Sequence, residues 1–378
     1  MTLALMLSKL KHKVIILDKS SKKKLLGVKD SRTSAISQGS SRILKEISLW
    51  NKIKNKAQSI NEINVSEGTN TNELNFNSET LNEGALGYIV DNTYLKKIFF
   101  KEILKSKLIK FIGEVNIKDI KSTSGSATIF SNKGKFSAQL IVGADGRNSK
   151  MRFFANIKSF FFDYNQTAFV FNITHTLSHQ SKAIERFFPS GPLALLPMQN
   201  NNKKSSSVVW TVDSPLVKKL LKKKDFYNEF EKKYADAFGR VTKASKPAIY
   251  NLNIISCYEY FRERIVLVGD ACQAIHPIAG QGLNLGFRDS YHLAKIISNS
   301  LELGLDIGST YVLRDYSLKR LVDKKLLIQA THRLNQLFSN NSKIIKAIRE
   351  NGLKFFNKSN YLKKRSMMFA MGLMRFDF

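Results

Sequence analysis

The segment from Val268 to Asp289 holds residue types that could build a binding turn for a cofactor. Apolar residues precede Gly269-Asp270, so we expect Asp270 to stand at the carboxyl end of a buried strand, the edge where open α/β sheets bind ligands. Gly280 and Gly282 follow in a loop, and glycine lets bare backbone approach a ring closely. The spacing predicts a cradle for a flat group that gains negative charge, as a flavin does on reduction.

A helix is expected directly after this loop, with Asn284 as its N-cap and its positive end toward the crevice. His276-Pro277 lies between the strand and the loop. His276 has the chemistry of a base, but packing of the His-Pro pair beside the ligand is the favoured interpretation. An ordinary strand–loop–helix connection, in which Asp270 only caps a turn, is the alternative. The length of the full string argues against that alternative.

The composition excludes several classes of protein. The chain has 378 residues and is 43% hydrophobic, which suits one large α/β unit or two interlocked domains and excludes global disorder. It has no apolar run of ~18 residues and no signal-peptide pattern, so neither a membrane span nor secretion is expected. The six His and two Cys form no ligand cluster, which argues against a metal site. A reducing, cytoplasmic setting is the default expectation.

The formal net charge of +31 bears on the choice of partners. A strongly basic chain usually indicates nucleic acid or an anionic membrane surface. Here the lysines are scattered, and the abundance of Asn, Lys and Ile is typical of codon bias in an AT-rich genome. The sequence shows no RNA-binding aromatic motif, zinc-finger spacing or basic heptad. We therefore expect no nucleic-acid partner and keep membrane contact as an open alternative.

Several elements must position these residues. A helix and a buried strand are predicted over residues 1–18, and the strand ends at Asp18. Residues 31–55 have a helical pattern. Strand patterns dominate from about 160 to 261, interrupted by one helix over about 214–238. The chain after Asn284 is mostly helical.

Two motifs together carry a resemblance to a known family. The segments 269–289 and 143–152 are similar to the flavin motifs of the FAD-dependent aromatic hydroxylases, the group A flavoprotein monooxygenases. Within that family the ubiquinone-biosynthesis hydroxylases are most similar. Weaker matches lie at 30–37, 88–92 and 191–197. The resemblance covers essentially the whole chain and fades over 55–85 and 200–255.

The resemblance implies an α/β fold. In it, a Rossmann-like FAD-binding domain of the glutathione-reductase type is interleaved with a β-sheet substrate domain and followed by a helical C-terminus. The expected bounds are 1–60, 88–158 and 262–330 for the FAD-binding domain, 61–87 and 159–261 for the substrate domain, and 331–378 for the C-terminal helical segment. The order of patterns along the chain, α/β, then mostly β, then α/β, then α, agrees with such an insertion.

The resemblance also implies roles for individual residues. Asp18 would hydrogen-bond the adenosine ribose, and Arg32 would meet the pyrophosphate or the flavin edge. Asp270 would accept hydrogen bonds from the ribityl hydroxyls, while the backbone from Gly280 to Leu285 would line the flavin ring. The full set of expected cofactor contacts is Asp18, Arg32, Asn92, Asp145, Arg152, Asp270, Gly280, Gly282, Leu283 and Asn284.

By the same resemblance the reaction is a hydroxylation. FAD is the expected cofactor, NAD(P)H the co-substrate that reduces it, and molecular oxygen the source of the hydroxyl group. The expected substrate is a polyprenylated phenol of ubiquinone biosynthesis. Strands from about 160 to 213 would wall the ring pocket, with Gly191, Pro192, His276 and Pro277 as pocket candidates. No catalytic side chain is assigned, because the chemistry resides in the flavin.

The family's first strand and its Gly-x-Gly-x-x-Gly turn have no counterpart in this sequence. When Val14–Asp18 is aligned with the family's second strand, the third glycine of that turn falls just before Met1. We expect that Met1 is not the true start. A flavin-free remnant or scaffold subunit of a biosynthetic complex is one alternative hypothesis. A related flavoenzyme that acts on isoprenoids, such as a prenyl reductase or an epoxidase, is another.

The last stretch of the chain bears on location. Lys363-Lys364-Arg365 stands beside the Met- and Phe-rich run 367–376, which is too short to span a bilayer but able to lie on one. Packing of this segment on the protein's own core is the alternative. We expect a cytoplasmic protein that contacts the inner face of the cytoplasmic membrane or a ubiquinone-biosynthesis complex.

Overall fold

The structure, a computed structural model, describes residues 1–27, 30–69, 74–222, 226–276, 280–338 and 356–374. Its helices are α1 (Thr2–Lys9), α2 (Lys22–Gly27), α3 (Gln38–Glu46), α4 (Trp50–Lys54), α5 (Asn92–Lys105), α6 (Lys150–Phe154), α7 (Ser214–Lys222), α8 (Phe226–Glu231), α9 (Ala235–Phe238), α10 (Gln281–Glu302), α11 (Thr310–Phe338) and α12 (Asn360–Ala370).

The strands are β1 (Val14–Leu17), β2 (Thr33–Ser37), β3 (Ala57–Ile60), β4 (Glu62–Glu67), β5 (Leu74–Asn77), β6 (Gly87–Asp91), β7 (Ile109–Ile112), β8 (Ile117–Ser122), β9 (Ala127–Ser131), β10 (Gly134–Ala138), β11 (Ile141–Gly143), β12 (Ser159–His175), β13 (Lys182–Phe188), β14 (Gly191–Pro197), β15 (Ser205–Asp213), β16 (Val241–Ala244), β17 (Ala248–Cys257), β18 (Phe261–Arg262), β19 (Ile265–Leu267) and β20 (Gln273–Ala274). The mixed α/β class predicted from the sequence is confirmed.

The largest sheet, counted over the described residues, has nine strands in the order β20-β17-β12-β15-β14-β13-β4-β5, with β16 beside β12. Strand alternation separates its two faces. Phe169, Leu193 and Trp210 point to one face, where aromatic residues of α8 and α9 cover them in a single core. The opposite face, called the inner face below, carries Ala194 and Val209 opposite each other on β14 and β15.

A second layer contains short parallel strands. β1 pairs with β7, and β11 pairs with β19. Apolar residues of α1, such as Met6 and Leu7, share a core with Val266 and Leu267 of β19. Between the two parallel pairs the described residues form no strand-to-strand ladder. Helix α1 contacts both pairs, because its Ala4 also shares a cluster with Ile109 of β7.

A small sheet in the order β2-β6-β3 lies beside this layer. The predicted helix over 31–55 is wrong at its start, because Thr33–Ser37 forms β2 and pairs antiparallel with β6. This pairing joins residues that lie 50 to 58 positions apart, which a local pattern does not reveal. Helices α3 and α4 begin only after β2. The single helix expected over 214–238 is interrupted by a turn at 232–234, which separates α8 from α9.

Helix α12 packs on the protein's own core. Met367 and Met371 are buried. The Gly39 N–H donates to the Met371 carbonyl (2.8 Å), and the Gln281 side-chain amide donates to the Ala370 carbonyl (3.0 Å). Helix α12 thus follows the alternative expected from the sequence, in which the C-terminal segment packs on the protein's own core. The Gln281 contact joins α12 to the start of α10. Of the described helices, none is long and apolar enough to cross a membrane.

A side chain at Gly39 would push α12 away from α3. A Cβ added there would lie 2.5 Å from the Gly372 carbonyl oxygen and 2.8 Å from that of Met371, so backbone would have to move. We expect Gly39→Ala to cost about 1–3 kcal/mol, as overpacking of a filled core does. We also expect faster trypsin cleavage at Lys363-Lys364-Arg365. The measurements are urea unfolding and limited proteolysis.

Gly125→Ala is the matched control, because a Cβ added at Gly125 meets no heavy atom within 4 Å. Its stability and trypsin sensitivity should equal those of the unmodified chain. Indistinguishable cleavage rates for the two alanine variants would contradict the close packing of α12 on Gly39.

Candidate active site

The turn that follows β19 places a carboxylate at the edge of the sheet. β19 ends at Leu267, and residues Gly269–Ala271 form a 3-10 helical turn with Gly269 at φ +58°. A Cβ on Gly269 would lie 3.7 Å from the Gly286 Cα, so the turn lies directly against α10. Asp270, at the centre of the turn, is exposed. The structure thus places Asp270 beyond the carboxyl end of a buried strand, as the sequence predicts.

Helix α10 begins beside this carboxylate. Its N-cap is Gly280 in the left-handed conformation (φ +61°), and no side chain of the described residues caps its first turn. A Cβ on Gly282 would lie 4.0 Å from the Asp270 Oδ1, so glycine leaves bare backbone next to the carboxylate. Leu283, in the same turn, is exposed. The free N–H groups and the positive end of the helix favour a hydrogen-bond acceptor or a negative group here.

Asn284 does not cap the helix, so this prediction is wrong. The residue lies inside the first turn of α10, and it is buried. Its Oδ1 accepts a hydrogen bond from the Ser37 N–H (2.9 Å), and its Nδ2 donates to the carbonyls of Ala35 (2.9 Å) and Gly280 (3.1 Å). The side chain joins the loop before α10 to β2, and these contacts occupy the groups that a cap would need.

The loop after β11 lies next to the Asp270 turn. Asp145 accepts a hydrogen bond from the Ser149 hydroxyl, and Ser149 caps α6 by accepting from the Arg152 N–H (2.9 Å). Arg152 Nη1 donates to the Ala271 carbonyl (2.9 Å). This bond ties the two sequence motifs together. The structure therefore brings Asp145, Arg152 and Asp270 to one edge.

Burial at this edge shifts the pKa values of Asp270 and His276. Burial raises the pKa of the Asp270 carboxyl, and the Arg147 charge opposes that shift. The surrounding protein therefore partly desolvates the carboxyl group, although the side chain reaches solvent. Burial lowers the pKa of His276 to about 4, so the ring is neutral near pH 7.

The His276 ring packs edge-on against Tyr164, with ring centroids 5.0 Å apart. Neither of its nitrogens has a hydrogen-bond partner among the described residues. That His276 packs beside the ligand and does not act as a base stays a prediction. Pro277, the neighbouring pocket candidate, lies outside the described residues.

A buried ionic network lies beneath the turn. The Asp289 Oδ2 accepts a hydrogen bond from the Gly269 N–H (2.9 Å). The same carboxylate is paired with Arg320 Nε (2.8 Å) and Lys324 Nζ (3.1 Å), which come from α11. These three side chains are almost wholly buried. A charge removed from water in this way is tolerated only when it is well paired.

The charges of this network keep one another ionised. Desolvation would raise the pKa of Asp289, but Lys324 and Arg320 outweigh it and hold the pKa below its usual value. Desolvation would likewise lower the pKa of Lys324, and Asp289 outweighs it in the opposite direction. Asp323 accepts from Arg288 and Arg320 at 2.7 Å each. Two carboxylates thus hold three cations, and the turn, α10 and α11 form one unit.

The remaining predicted cofactor contacts lie on the neighbouring layer. Arg32 donates through Nε and Nη2 to the two carboxylate oxygens of Asp30 (2.8 Å each), and these bonds hold the pKa of Asp30 well below its usual range. The Asn92 N–H donates to the Arg32 carbonyl (3.0 Å). Asp18 accepts from the Ser20 N–H (2.7 Å) after the end of β1. The structure therefore places Arg32 beside Asn92, while Asp18 directly follows a separate strand, β1.

The pocket candidates Gly191 and Pro192 are buried in β14 of the large sheet. Gly191 has φ +132°, and a Cβ there would lie 2.7 Å from the Thr211 side chain. Pro192 stands opposite Phe187 of β13. Both residues shape the start of β14. Their role in a substrate pocket stays a prediction.

The residues at this edge fit a flavin nucleotide. The exposed Asp270 carboxylate can accept hydrogen bonds from ribityl hydroxyls. Gly282 leaves bare backbone beside the carboxylate, where a Cβ would narrow the space for a flat ring, whereas Gly280 allows the close approach of Ala35. The uncapped start of α10 offers N–H donors to a ring oxygen or a phosphate. Arg147 adds positive charge to the same crevice.

Sequence reasoning missed three cations of this site, Arg147, Arg320 and Lys324. Arg147 lies within the motif at 143–152, directly after Gly146, and this position was a signal for it. Arg320 and Lys324 stand four residues apart on α11. That spacing indicates only that they share a helix face. Their pairing with Asp289 is a tertiary contact without a local signal.

Comparisons with known proteins show the family to which the chain belongs. A family model described as FAD binding domain matches residues 1–326. The chain is 33% identical to the ubiquinone hydroxylase UbiL of Rhodospirillum rubrum, over 99% of this chain and 87% of that protein. It is 28% identical to the 3-demethoxyubiquinol 3-hydroxylase of Escherichia coli, over 91% of this chain and 88% of that protein. Crystalline p-nitrophenol 4-monooxygenase PnpA from Pseudomonas putida matches with a TM-score of 0.82 at 17% identity, covering 99% of this chain and 95% of that chain.

The buried network predicts a large cost for Asp289→Asn. The variant leaves Arg320 and Lys324 buried without their main counter-charge, so we expect a loss of about 3–5 kcal/mol in the free energy of unfolding. Because the folded-state pKa of Asp289 is lowered, its contribution is present above the unfolded pKa of ~4 and is lost as the pH falls further. Urea unfolding at several pH values measures both.

The control is Asp315→Asn on the exposed side of α11, where Asp315 pairs with Lys319 at 3.1 Å. Exposed pairs contribute about 0–1 kcal/mol. Equal losses in the two variants would show that the Asp289 network does not hold the turn.

The position of the Asp270 carboxylate leads to a prediction about the affinity for FAD. Hydrogen bonds to a charged group contribute about 1.5–3 kcal/mol, so Asp270→Ala should weaken FAD binding by about tenfold to a hundredfold. Fluorescence titration of the flavin-free chain with FAD measures the dissociation constant. Asp315→Asn should bind like the unmodified chain. An unchanged dissociation constant in Asp270→Ala would remove Asp270 from the cofactor site.

Proposed function

The chain belongs to the FAD binding domain family and is an FAD-dependent monooxygenase, and we propose that it hydroxylates the aromatic ring of a polyprenylated phenol in ubiquinone biosynthesis. The observation that carries this proposal is the junction of the Asp270 turn with the Asp145 loop through Arg152. That junction supports the proposal because it joins the two segments that resemble flavin motifs. The relatives named as ubiquinone hydroxylases support the choice of substrate.

The overall reaction balances with one molecule each of substrate, oxygen and NAD(P)H. One oxygen atom enters the ring as a hydroxyl group, and the other leaves as water with a hydride from NAD(P)H and a proton from solvent. Bound FAD supplies the electron transfer and the activation of oxygen. The protein's share of the work is to bind, to orient and to exclude water.

The side chains and backbone at the crevice have distinct tasks. Asp270 would accept hydrogen bonds from the cofactor's hydroxyl groups. The free N–H groups at the start of α10, with Arg147 nearby, would stabilise negative charge on the ring. His276 stays neutral and packs, because burial lowers its pKa to about 4.

The inner face of the large sheet would form the wall of the substrate site. Ala183 of β13 shares an apolar cluster with Ile60 and Ile89, and Ala35 of β2 packs against it. Ala35 also stands 2.8 Å from a Cβ placed on Gly280. The inner face thus approaches the loop that precedes α10. An apolar wall next to that loop suits a lipophilic ring with a prenyl tail.

A prenylated substrate resides in a membrane, and we place the protein's site of action at the surface of the cytoplasmic membrane. The net charge of +31 favours anionic lipid headgroups. Phe153 of α6 is 80% exposed, and Phe161 near the start of β12 is 58% exposed. Exposed aromatic residues beside lysines are typical of peripheral membrane contact. A contact with other proteins of the same biosynthesis is the alternative for this surface.

Isotope labelling tests the proposed reaction. The FAD-loaded chain is incubated with NADH or NADPH, a short-tailed prenylphenol and isotopically labelled molecular oxygen. We expect one labelled oxygen atom in the product ring and consumption of oxygen in proportion to product. Mass spectrometry measures the incorporation.

Two outcomes would contradict the proposal. Reduction of a tail double bond without oxygen incorporation would identify an enzyme of another class. Failure of the folded chain to retain any flavin after reconstitution would favour the flavin-free alternative.

A further inference from the structure

One row across the inner face of the large sheet holds a single carboxylate among apolar side chains. The register aligns Val170 of β12 with Val209 of β15, and Val209 with Ala194 of β14. Ala194 stands opposite Glu185 of β13, which stands beside Val65 of β4. The row therefore crosses five strands and contains Glu185 as its one ionisable group.

Strand alternation fixes the face to which Glu185 points. Its neighbour Ile184 lies in the core beneath α8 and α9, together with Leu193 and Trp210. Its other neighbour, Arg186, points the same way as Ile184 and is paired there with Asp236 (2.7 Å). Glu185 therefore points away from that core and toward the inner face.

The inner face at Glu185 is close to the candidate cofactor site. Ala183 lies two residues before Glu185 on the same face, a separation of ~7 Å along a strand. Ala183 shares a cluster with Ala35, and Ala35 lies against Gly280 of the loop before α10. Packed residues therefore connect the inner face near Glu185 with the candidate cofactor edge, and a ligand that lies along this face would extend from Glu185 toward that edge.

Glu185 has neither a hydrogen bond nor an ion pair with any described residue, although it is half-buried. Desolvation raises the pKa of its carboxyl to about 7. Other titratable groups that the register places on this face are Glu67 of β4, Asp213 at the exposed end of β15, Tyr250 of β17 and Lys243 of β16. The end of α11 contributes Phe338, which stacks on Phe187 with ring centroids 4.1 Å apart.

An unpaired carboxylate in an apolar wall costs free energy. A leucine or a glutamine at this position would be compatible with the row, so packing alone does not explain glutamate. A ligand with one hydroxyl group and an apolar body would satisfy both the carboxylate and its apolar neighbours. A prenylated phenol has this composition.

We propose that Glu185 binds the ring hydroxyl of the phenolic substrate and accepts its proton. This inference rests on the proposed function and adds a catalytic side chain to it. In the step, the phenolic O–H bond breaks and its electron pair stays on the ring oxygen, while a new O–H bond forms on a Glu185 carboxylate oxygen. The phenolate ring is richer in electrons and accepts an electrophilic oxygen more readily. Solvent takes the proton from Glu185 after the product leaves.

Binding of two ligands to the unmodified chain and to a Glu185 variant tests the contact between Glu185 and the phenolic hydroxyl group without requiring turnover. The FAD-loaded chain is titrated calorimetrically with 2-geranylphenol and with its O-methyl ether, which lacks the hydroxyl hydrogen. We expect the phenol to bind about tenfold to a hundredfold more tightly than the ether, as for a hydrogen bond to a charged group. Glu185→Leu should remove most of this preference. An unchanged preference in that variant would overturn the proposal.

A pH profile tests the proton transfer. Because the base must be ionised, kcat/KM for the phenol should rise with pH up to about 7 and then level off. Glu185→Gln keeps the shape and a hydrogen bond but cannot take a proton, so its profile should lose this rise while FAD binding is unchanged. A variant profile that keeps the same rise would overturn the role as base.

Two controls distinguish a specific effect of Glu185 from a general effect of substitution on folding or activity. Glu229→Gln lies on α8 beyond the opposite face of the sheet, and it should leave both the preference and the profile unchanged. Glu185→Gln should melt above the unmodified chain at about pH 8 and approach it at about pH 5, because a raised pKa makes the ionised carboxylate destabilising. A chain that discriminates phenol from ether through Glu185 but does not hydroxylate would refute the proposed function and leave the contact standing.

Discussion

The buried Asp289 carboxylate is the constraint on which the rest of the site depends. It accepts the Gly269 N–H and is paired with Arg320 and Lys324, all out of contact with water. A buried charge of this kind is far more costly alone than paired, so the turn, α10 and α11 must keep their relative positions. The position of Asp270 at the sheet edge follows from that geometry. The helix that carries the two cations is thus as necessary to the crevice as the motif itself.

Two further contacts extend this unit to the other layers. Arg152 joins the Asp145 loop to the turn, and Asn284 joins the start of α10 to β2. Through Ala35 on β2, the same edge touches the inner face of the large sheet. The candidate cofactor site and the candidate substrate wall are therefore parts of one connected structure. A flavin and a lipophilic ring could meet at this junction without a separate nicotinamide domain.

The sequence alone predicted the parts of this site that have local signals. A buried strand followed by Gly269-Asp270 and a glycine loop is recognisable from neighbouring residues, and the structure places Asp270 accordingly. The N-cap expected at Asn284 was wrong because Ser37, which lies 247 positions away, takes its side-chain oxygen. Strand β2 was missed for a similar reason, since its pairing with β6 is non-local. The raised pKa of Glu185 also depends on tertiary structure. Alternation along β13 indicates the face to which its side chain points, but it does not indicate that the carboxylate has no hydrogen-bond partner among the described residues.

A crystal structure of the chain with FAD would test this description of the site most directly. The ribityl hydroxyls should lie within hydrogen-bond distance of the Asp270 carboxylate, and the flavin ring should lie along the backbone from Gly280 to Leu285. The Asp289 network should be unchanged beneath the turn. Electron density for the flavin elsewhere on the protein, with Asp270 facing solvent, would contradict the assignment of this edge as the cofactor site.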